Sequence, residues 1–253
     1  VGLGVMGLHS YFQQKMIPFE SVMAKVWNKK IFLQIQEQVD LASKDLAEER
    51  GACPDASDYG IKERFSNKTA IAPTASISII CGGASPGIEP IAANSYTHKT
   101  LSGSFNVRNK YLAKLLEKHG KNNDEIWSSI TTNQGSVSHL DFLSNEEKDV
   151  FKTAFELDQR WVIDLGADRT PYISQAQSIN VFIPADIHKK DLHQIHFQAW
   201  KKGLKSLYYC RSKSIQRAEN VNDAKSTDVT ANVYKSGNKQ NEKQEYEECL
   251  SCQ

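Results

Sequence analysis

Neither sign of charge dominates this chain of 253 residues: 31 Lys and Arg stand against 30 Asp and Glu, a net charge of +1. Such a balance gives no bulk attraction to a polyanion or an anionic lipid surface, so no nucleic acid and no membrane are expected as partners. Long apolar runs are also missing. The uncharged stretch that begins at Thr69 is full of Ser, Gly and Pro, which excludes a transmembrane helix there. Position 1 is not Met, and no basic segment followed by an apolar one opens the chain. No signal peptide is therefore expected, and the chain is expected to begin inside a longer reading frame. Cysteine is scarce and odd in number: Cys53, Cys81, Cys210, Cys249 and Cys252. That is no secreted disulfide framework, and it points to a reducing, cytoplasmic home. From Ala218 to Gln253 there is no Phe, Trp, Ile or Met and a single Leu. Such a segment buries too little apolar surface to offset its ordering entropy, so residues 218–253 are expected to be a disordered tail.

What is present upstream patterns as α/β. Met23, Trp27, Ile31, Ile35, Val39, Ala42 and Leu46 recur every three or four residues, with Ser21 as N-cap and Gly51 as stop. A helix of that length, roughly 42 Å at 1.5 Å per residue, suits the outer layer of a large α/β domain. Residues 69–80 mix β-branched residues with alanines and hydroxyls around Pro73, which predicts a strand breaking into a loop. Residues 81–90, with three Gly and two Pro, must be irregular. Further helices are predicted over 107–119 and 124–130. Another opens at the capping box Ser144–Glu147 and carries Val150, Phe151, Ala154, Phe155 and Leu157. A last one covers 189–202, with Leu192, Ile195, Ala199 and Trp200 on one side and Gly203 as its stop. Residues 204–210 read as a short buried strand. Helix–strand alternation of this kind favours an α/β domain over residues 1–217.

Several motifs carry chemistry in principle. Gly2, Gly4 and Gly7 form GxGxxG, but no strand precedes them and no acidic residue closes a second strand. A glycine-spaced helix or turn packed closely on a neighbour is the better reading. His188, His193 and His196 have no third ligand at a persuasive spacing, so no metal is expected and they are read as helix-surface residues. Pro73, Thr74, Ala75, Ser76 and Ile77 offer hydroxyls and N–H groups at a strand-to-loop break, which is either a phosphate nest or a polar turn. Tyr208 and Tyr209 are ordinary core aromatics or, if stacked, a pair of phenols able to pass on an oxidising equivalent. In a regular strand their rings would point to opposite faces. The terminal Cys249-Leu250-Ser251-Cys252 lacks the other ligands of a zinc site and the βαβ surroundings of a thioredoxin fold. It is either a pair of exposed thiols or, the better fit, a mobile dithiol on a linker reaching roughly 35 Å. The flanking Glu245, Glu247 and Glu248 disfavour the thiolate, which suits a shuttle activated by its partners.

Taken in order, these stretches resemble a known family. Val1–Val5, Glu48–Pro54, Ala72–Ser78, Gly87-Ile88-Glu89-Pro90, Ser174–Asn180, Trp200–Tyr209 and the terminal CxxC are similar, in this order, to the C-terminal part of the large (alpha) subunit of class I ribonucleotide reductases. The resemblance implies a ten-stranded α/β barrel, of which this chain supplies the later strands and their outer helices. It implies that Pro73, Thr74, Ala75, Ser76 and Ile77 hold the diphosphate of a ribonucleoside diphosphate substrate. Tyr208 is implied as the inner and Tyr209 as the outer member of a tyrosine pair carrying a radical from the small (beta) subunit. Cys249 and Cys252 are implied as the tail dithiol that re-reduces the active-site disulfide and is itself reduced by thioredoxin or glutaredoxin. No cofactor is implied on this chain, because the metal that generates the radical belongs to the small subunit.

The same resemblance places the thiyl-forming cysteine, the two cysteines oxidised in turnover and the regulatory cone upstream of Val1. Activity is therefore expected to need an N-terminal segment of the alpha subunit, from the same gene or a split partner. Cys53, Cys81 and Cys210 match no such motif and are expected to be structural. A cobalamin-dependent (class II) reductase fragment is an alternative, but it would have no use for Tyr208-Tyr209. A non-catalytic interaction protein derived from a reductase is another.

Overall fold

The fold is built on a few short parallel strand segments that are distant in sequence and joined to one another by helical crossovers. It was obtained as a computed structural model and is described for residues 1–100 and 103–212. The predicted tail, with Cys249 and Cys252, lies outside the described residues. In chain order the elements are α1 (Leu8–Gln14), α2 (Val22–Arg50), α3 (Pro54–Ser57), α4 (Ala75–Ile80), β1 (Ser95–Thr100), β2 (Gly103–Arg108), α5 (Lys110–Lys118) and α6 (Asp124–Thr132). They continue with α7 (Asn145–Val150), α8 (Gln159–Arg169), a 3₁₀ turn (Thr170–Tyr172), β3 (Val181–Ile183), α9 (Lys189–Lys201) and β4 (Cys210–Ser212).

Backbone hydrogen bonds order the segments. Leu3 bridges Thr69 and Ile71 bridges Gln177, both in parallel. The Ala70 N–H donates to Leu3 O at 3.0 Å, and the Ser178 N–H donates to Ile71 O at 3.0 Å. Tyr208 N–H donates to Ile179 O at 2.8 Å, and β3 then pairs with β4 in parallel, Val181 opposite Cys210. The spatial order is thus residues 2–4, 69–71, 177–183 and 208–212, each reached by a helical crossover, as parallel strands require. This is an arc of the expected α/β barrel.

One hydrophobic cluster fills the space between arc and helices, with Phe12, Phe19, Phe32, Ile71, Ile163 and Val181 among its buried members. A second, around Leu112, Leu116, Trp127, Ile130 and Phe151, lies under α5–α7. Buried Asn94 ties this second cluster in place, donating to Gly135 O at 3.0 Å and to Phe151 O at 2.7 Å.

Several sequence expectations hold. Ser21 caps α2, accepting from the Ala24 N–H at 3.0 Å, and the Ser144–Glu147 capping box is complete. The buried face of α2, however, is Ala24, Asn28, Phe32, Ser43 and Ala47, one residue on from the predicted stripe, and Met23 is exposed. Asn28 is buried because α8 pairs it: it donates to Leu165 O at 2.9 Å and accepts from Arg169 at 3.1 Å. A hydrophobic pattern does not register a polar residue that finds partners.

Other expectations need correcting. α5 starts at Lys110, capped by Asn109, because Val107 belongs to the unpredicted hairpin β1–β2, opposite Tyr96. α7 ends at Val150. Beyond it the Ala154 N–H donates to Ile91 O at 2.7 Å, so tertiary backbone bonds replace the helical ladder, and Asp158 opens the unpredicted α8. Residues 75–80 form helix α4 rather than a strand or loop. The strand predicted as buried over 204–210 is instead β4, exposed at Cys210 and Ser212 and half-buried at Arg211. Trp200 lies on the outside of α9, while Ile195 and Ala199 face the core.

Gly4 explains the GxGxxG spacing. A Cβ there would sit 2.5 Å from Ala70 O, across the first bridge of the arc. Gly4→Ala is expected to push residues 2–4 away from 69–71 and to destabilise the protein by about 2–4 kcal/mol in a urea titration. An unaltered midpoint would show that this contact has slack.

Candidate functional site

The ends of the arc border a cavity of about 750 Å³, whose lining includes Gly2, Ala70, Gln177, Tyr208, Cys53 and Arg64. Among the described residues Arg64 is the one charged side chain in that lining. Its guanidinium donates to Gly51 O at 3.3 Å, so it is held where α2 ends.

Tyr208 and Tyr209 lie at the rim. Their rings are 4.1 Å apart, centroid to centroid, at 51° to each other. Neighbours in a regular strand cannot do this. They can here because β4 begins only at Cys210, so the chain is irregular where the tyrosines sit. Tyr208 lines the cavity and Tyr209 does not. Both are roughly 40–45 % exposed, which rules out the core-aromatic reading.

The segment Pro73–Ile77, whose last three residues open α4, is set by an unusual turn. Thr74 is left-handed (φ 54°), and its hydroxyl accepts from the Gly87 N–H at 2.7 Å. Gly87 is left-handed as well (φ 46°), and a Cβ there would lie 2.9 Å from Ala72 O. The loop and the segment 87–90 are therefore one docked unit. α4 starts immediately after Thr74, and the first N–H groups of a helix have no partner within it. The loop does not line the 750 Å³ cavity.

Residues given no role by the sequence complete the site. Glu89 is buried, and Asn180, also buried, donates to its carboxylate at 2.5 Å. The Asn180 carbonyl oxygen accepts from the Tyr209 N–H at 2.9 Å. The Arg211 guanidinium stands 5.9 Å from the Tyr209 ring centre. One polar chain thus runs from Glu89 through Asn180 to the tyrosine pair, while Glu89 is tied by sequence to the Thr74–Gly87 unit. Burial raises the Glu89 carboxyl to about 7, against the opposing pull of Arg211 and Asn180. The signal available in the sequence was a lone carboxylate within a Gly/Pro-rich stretch.

Of the three upstream cysteines, Cys81 and Cys210 are exposed and Cys53 is half buried at the cavity wall, so none is a core residue. His188, His193 and His196 are on the surface of α9, as expected, and His188 caps it by accepting from the Lys190 N–H at 3.1 Å. Among the described residues no group of His, Cys, Asp and Glu is arranged to hold a metal, and no helix is long and apolar enough to cross a membrane.

A profile described as the barrel domain of ribonucleotide reductase matches residues 1–62 and 55–210. This chain belongs to the ribonucleotide reductase barrel-domain family. The ribonucleoside-diphosphate reductase large subunit of Invertebrate iridescent virus 6 is 48% identical over 225 residues, covering 87% of this chain and 23% of that protein. The large subunit from Danio rerio is 32% identical over 294 residues, covering 100% of this chain and 37% of that protein. Among solved structures, the class Id ribonucleotide reductase alpha subunit of Actinobacillus ureae superposes with a TM-score of 0.78 at 42% identity. It covers 84% of this chain and 39% of that one. The reductase barrel segment described here therefore spans well under half the length of these relatives.

The raised Glu89 carboxyl has a consequence for stability. The native state holds its proton up to about pH 7, whereas an unfolded Glu releases it near 4.5. Native stability contributed by this group is full below about pH 4.5 and is lost as pH rises towards 7 and beyond. Glu89→Gln is expected to remove this loss and to raise stability at pH 8 by up to roughly 3 kcal/mol relative to pH 4.5. Urea titrations of both proteins at the two pH values measure it; equal pH dependence in both refutes it.

Proposed function

We propose that this chain is the C-terminal barrel portion of a ribonucleoside-diphosphate reductase large subunit. That enzyme reduces ribonucleotides to 2'-deoxyribonucleotides by radical chemistry, in the cytoplasm. The observation that carries the reading is the close, tilted Tyr208–Tyr209 ring pair, with Tyr208 on the cavity wall and Tyr209 off it.

The relay works by hydrogen-atom equivalents. A one-electron oxidant in the metal-containing small subunit takes an electron from Tyr209, whose phenolic proton leaves with it. Tyr209 then regains a hydrogen atom from Tyr208. Tyr208 in turn takes one from a thiol supplied by an upstream segment of the large subunit. Ring contact at 4.1 Å keeps the middle step short. The loop Pro73, Thr74, Ala75, Ser76 and Ile77 receives the substrate diphosphate. Its left-handed turn and the opening N–H groups of α4 suit an anion without a basic side chain. After reduction, Cys249 and Cys252 together give up two electrons and two protons to the active-site disulfide and become a disulfide themselves. Thioredoxin or glutaredoxin restores them.

The close tyrosine pair favours this class I reading over a cobalamin-dependent one, which has no use for a relay of tyrosines. In the large subunit assembled with its small subunit, Tyr208→Phe or Tyr209→Phe is expected to bring turnover down to background, because Phe has no O–H to give. Replacing both Cys249 and Cys252 with Ser should leave a single turnover intact and stop multiple turnovers with a thioredoxin-type reductant. Sustained turnover in any of these variants removes the role assigned to that residue.

A further inference from the structure

We propose that Glu89 is a positioning residue for transfer between Tyr208 and Tyr209, acting through Asn180 on the Tyr209 backbone and through Arg211 on the Tyr209 ring. The inference rests on the relay reading above and extends it to a residue outside the pair.

Three observations meet at Glu89. Its carboxylate accepts from Asn180 Nδ2 at 2.5 Å, and Asn180 Oδ1 accepts from the Tyr209 N–H at 2.9 Å, so the carboxylate is two bonds from the relay backbone. Arg211 stands 5.9 Å from the Tyr209 ring centre, and its Nε is buried without a hydrogen-bond partner. Glu89 and Arg211 lie within Coulombic range of one another. Among the described residues the cation that acts on Glu89 is Arg211 on β4. His9 on α1, which accepts from the Ile91 N–H at 3.0 Å, is kept neutral by complete burial, with its ring pushed down to about 3.

The physics follows from charge. A guanidinium beside an aromatic ring is attracted to its π-electrons. Oxidation of Tyr209 takes an electron from that ring, so an unopposed Arg211 resists it. An ionised Glu89 offsets the cation and gives Asn180 a charge-assisted bond to hold. A protonated Glu89 does neither. The same burial that costs stability at neutral pH therefore supplies a carboxylate in a dry place, where its charge is strongly felt. A group kept only for folding would improve when neutralised; one kept for transfer would not.

The test uses the assembled enzyme, with turnover measured from pH 6 to pH 8.5. The wild type is expected to speed up as pH rises through about 7, where Glu89 ionises. Glu89→Gln should lose that inflection and run about tenfold slower at pH 8, with KM unchanged, although it is the more stable protein. Arg211→Gln removes the cation that favours ionisation and should move the inflection upwards. An inflection retained in Glu89→Gln, a wild type with no inflection, or an Arg211→Gln profile that turns at the wild-type pH each overturns the proposal. Tyr209→Phe separates the two ideas. Turnover in that variant sinks the relay itself, whereas a dead Tyr209→Phe beside an unaltered Glu89→Gln sinks only the role of Glu89.

Discussion

The parallel backbone ladder from Leu3 through Thr69–Ile71 and Gln177–Ile183 to Ser212 is the constraint on which the rest depends. Parallel strands cannot be joined by tight turns, so each step of the ladder needs a crossover, and the crossovers are the helices. Their apolar faces meet the arc in one cluster around Phe12, Phe32, Ile163 and Val181. The ladder also decides where the tyrosine pair sits. Its strand segments border a cavity, and its last paired stretch brings Tyr208 to the wall of that cavity.

Buried polar side chains fasten the ladder sideways. Fully buried Arg169 donates to Gln177 at 2.5 Å and to Asn28 at 3.1 Å, and it stacks over Phe32, so one cation joins α2, α8 and the strand segment at 177. Burial lowers it to about 9, against the opposing pull of the Asp168 charge. Asn180 does the corresponding work at the site, between Glu89 and Tyr209. Each such group is costly alone and tolerable only because its partners are fixed. Removing one partner leaves the other buried and unmatched, which is why these amides bind distant segments so firmly.

Much of the local structure was legible in advance. Ser21, Ser144 and Gly203 announced helix ends through backbone groups a few residues away, and the structure has those ends. The Tyr208-Tyr209 dipeptide and the Pro73–Ile77 loop were visible as motifs, although their chemistry depended on context. What misled was also local. Met23 and Trp200 look like core residues by spacing and lie exposed, while Asn28 looks like a surface residue and is buried. The residues after Val150 continue an apolar pattern that the chain spends on an irregular packed segment instead of a helix.

By itself the sequence determined the α/β class, the helix caps and the ordered set of stretches that mark the reductase family, because these depend on neighbours in the chain. Only the tertiary structure decided that the rings of two adjacent tyrosines lie 4.1 Å apart rather than on opposite faces, and that Thr74 is locked to Gly87. It alone brought Glu89 to Asn180 across 91 positions. A carboxylate's environment is made by whatever folds against it, so neither the burial of Glu89 nor its raised proton affinity can be read from the residues beside it.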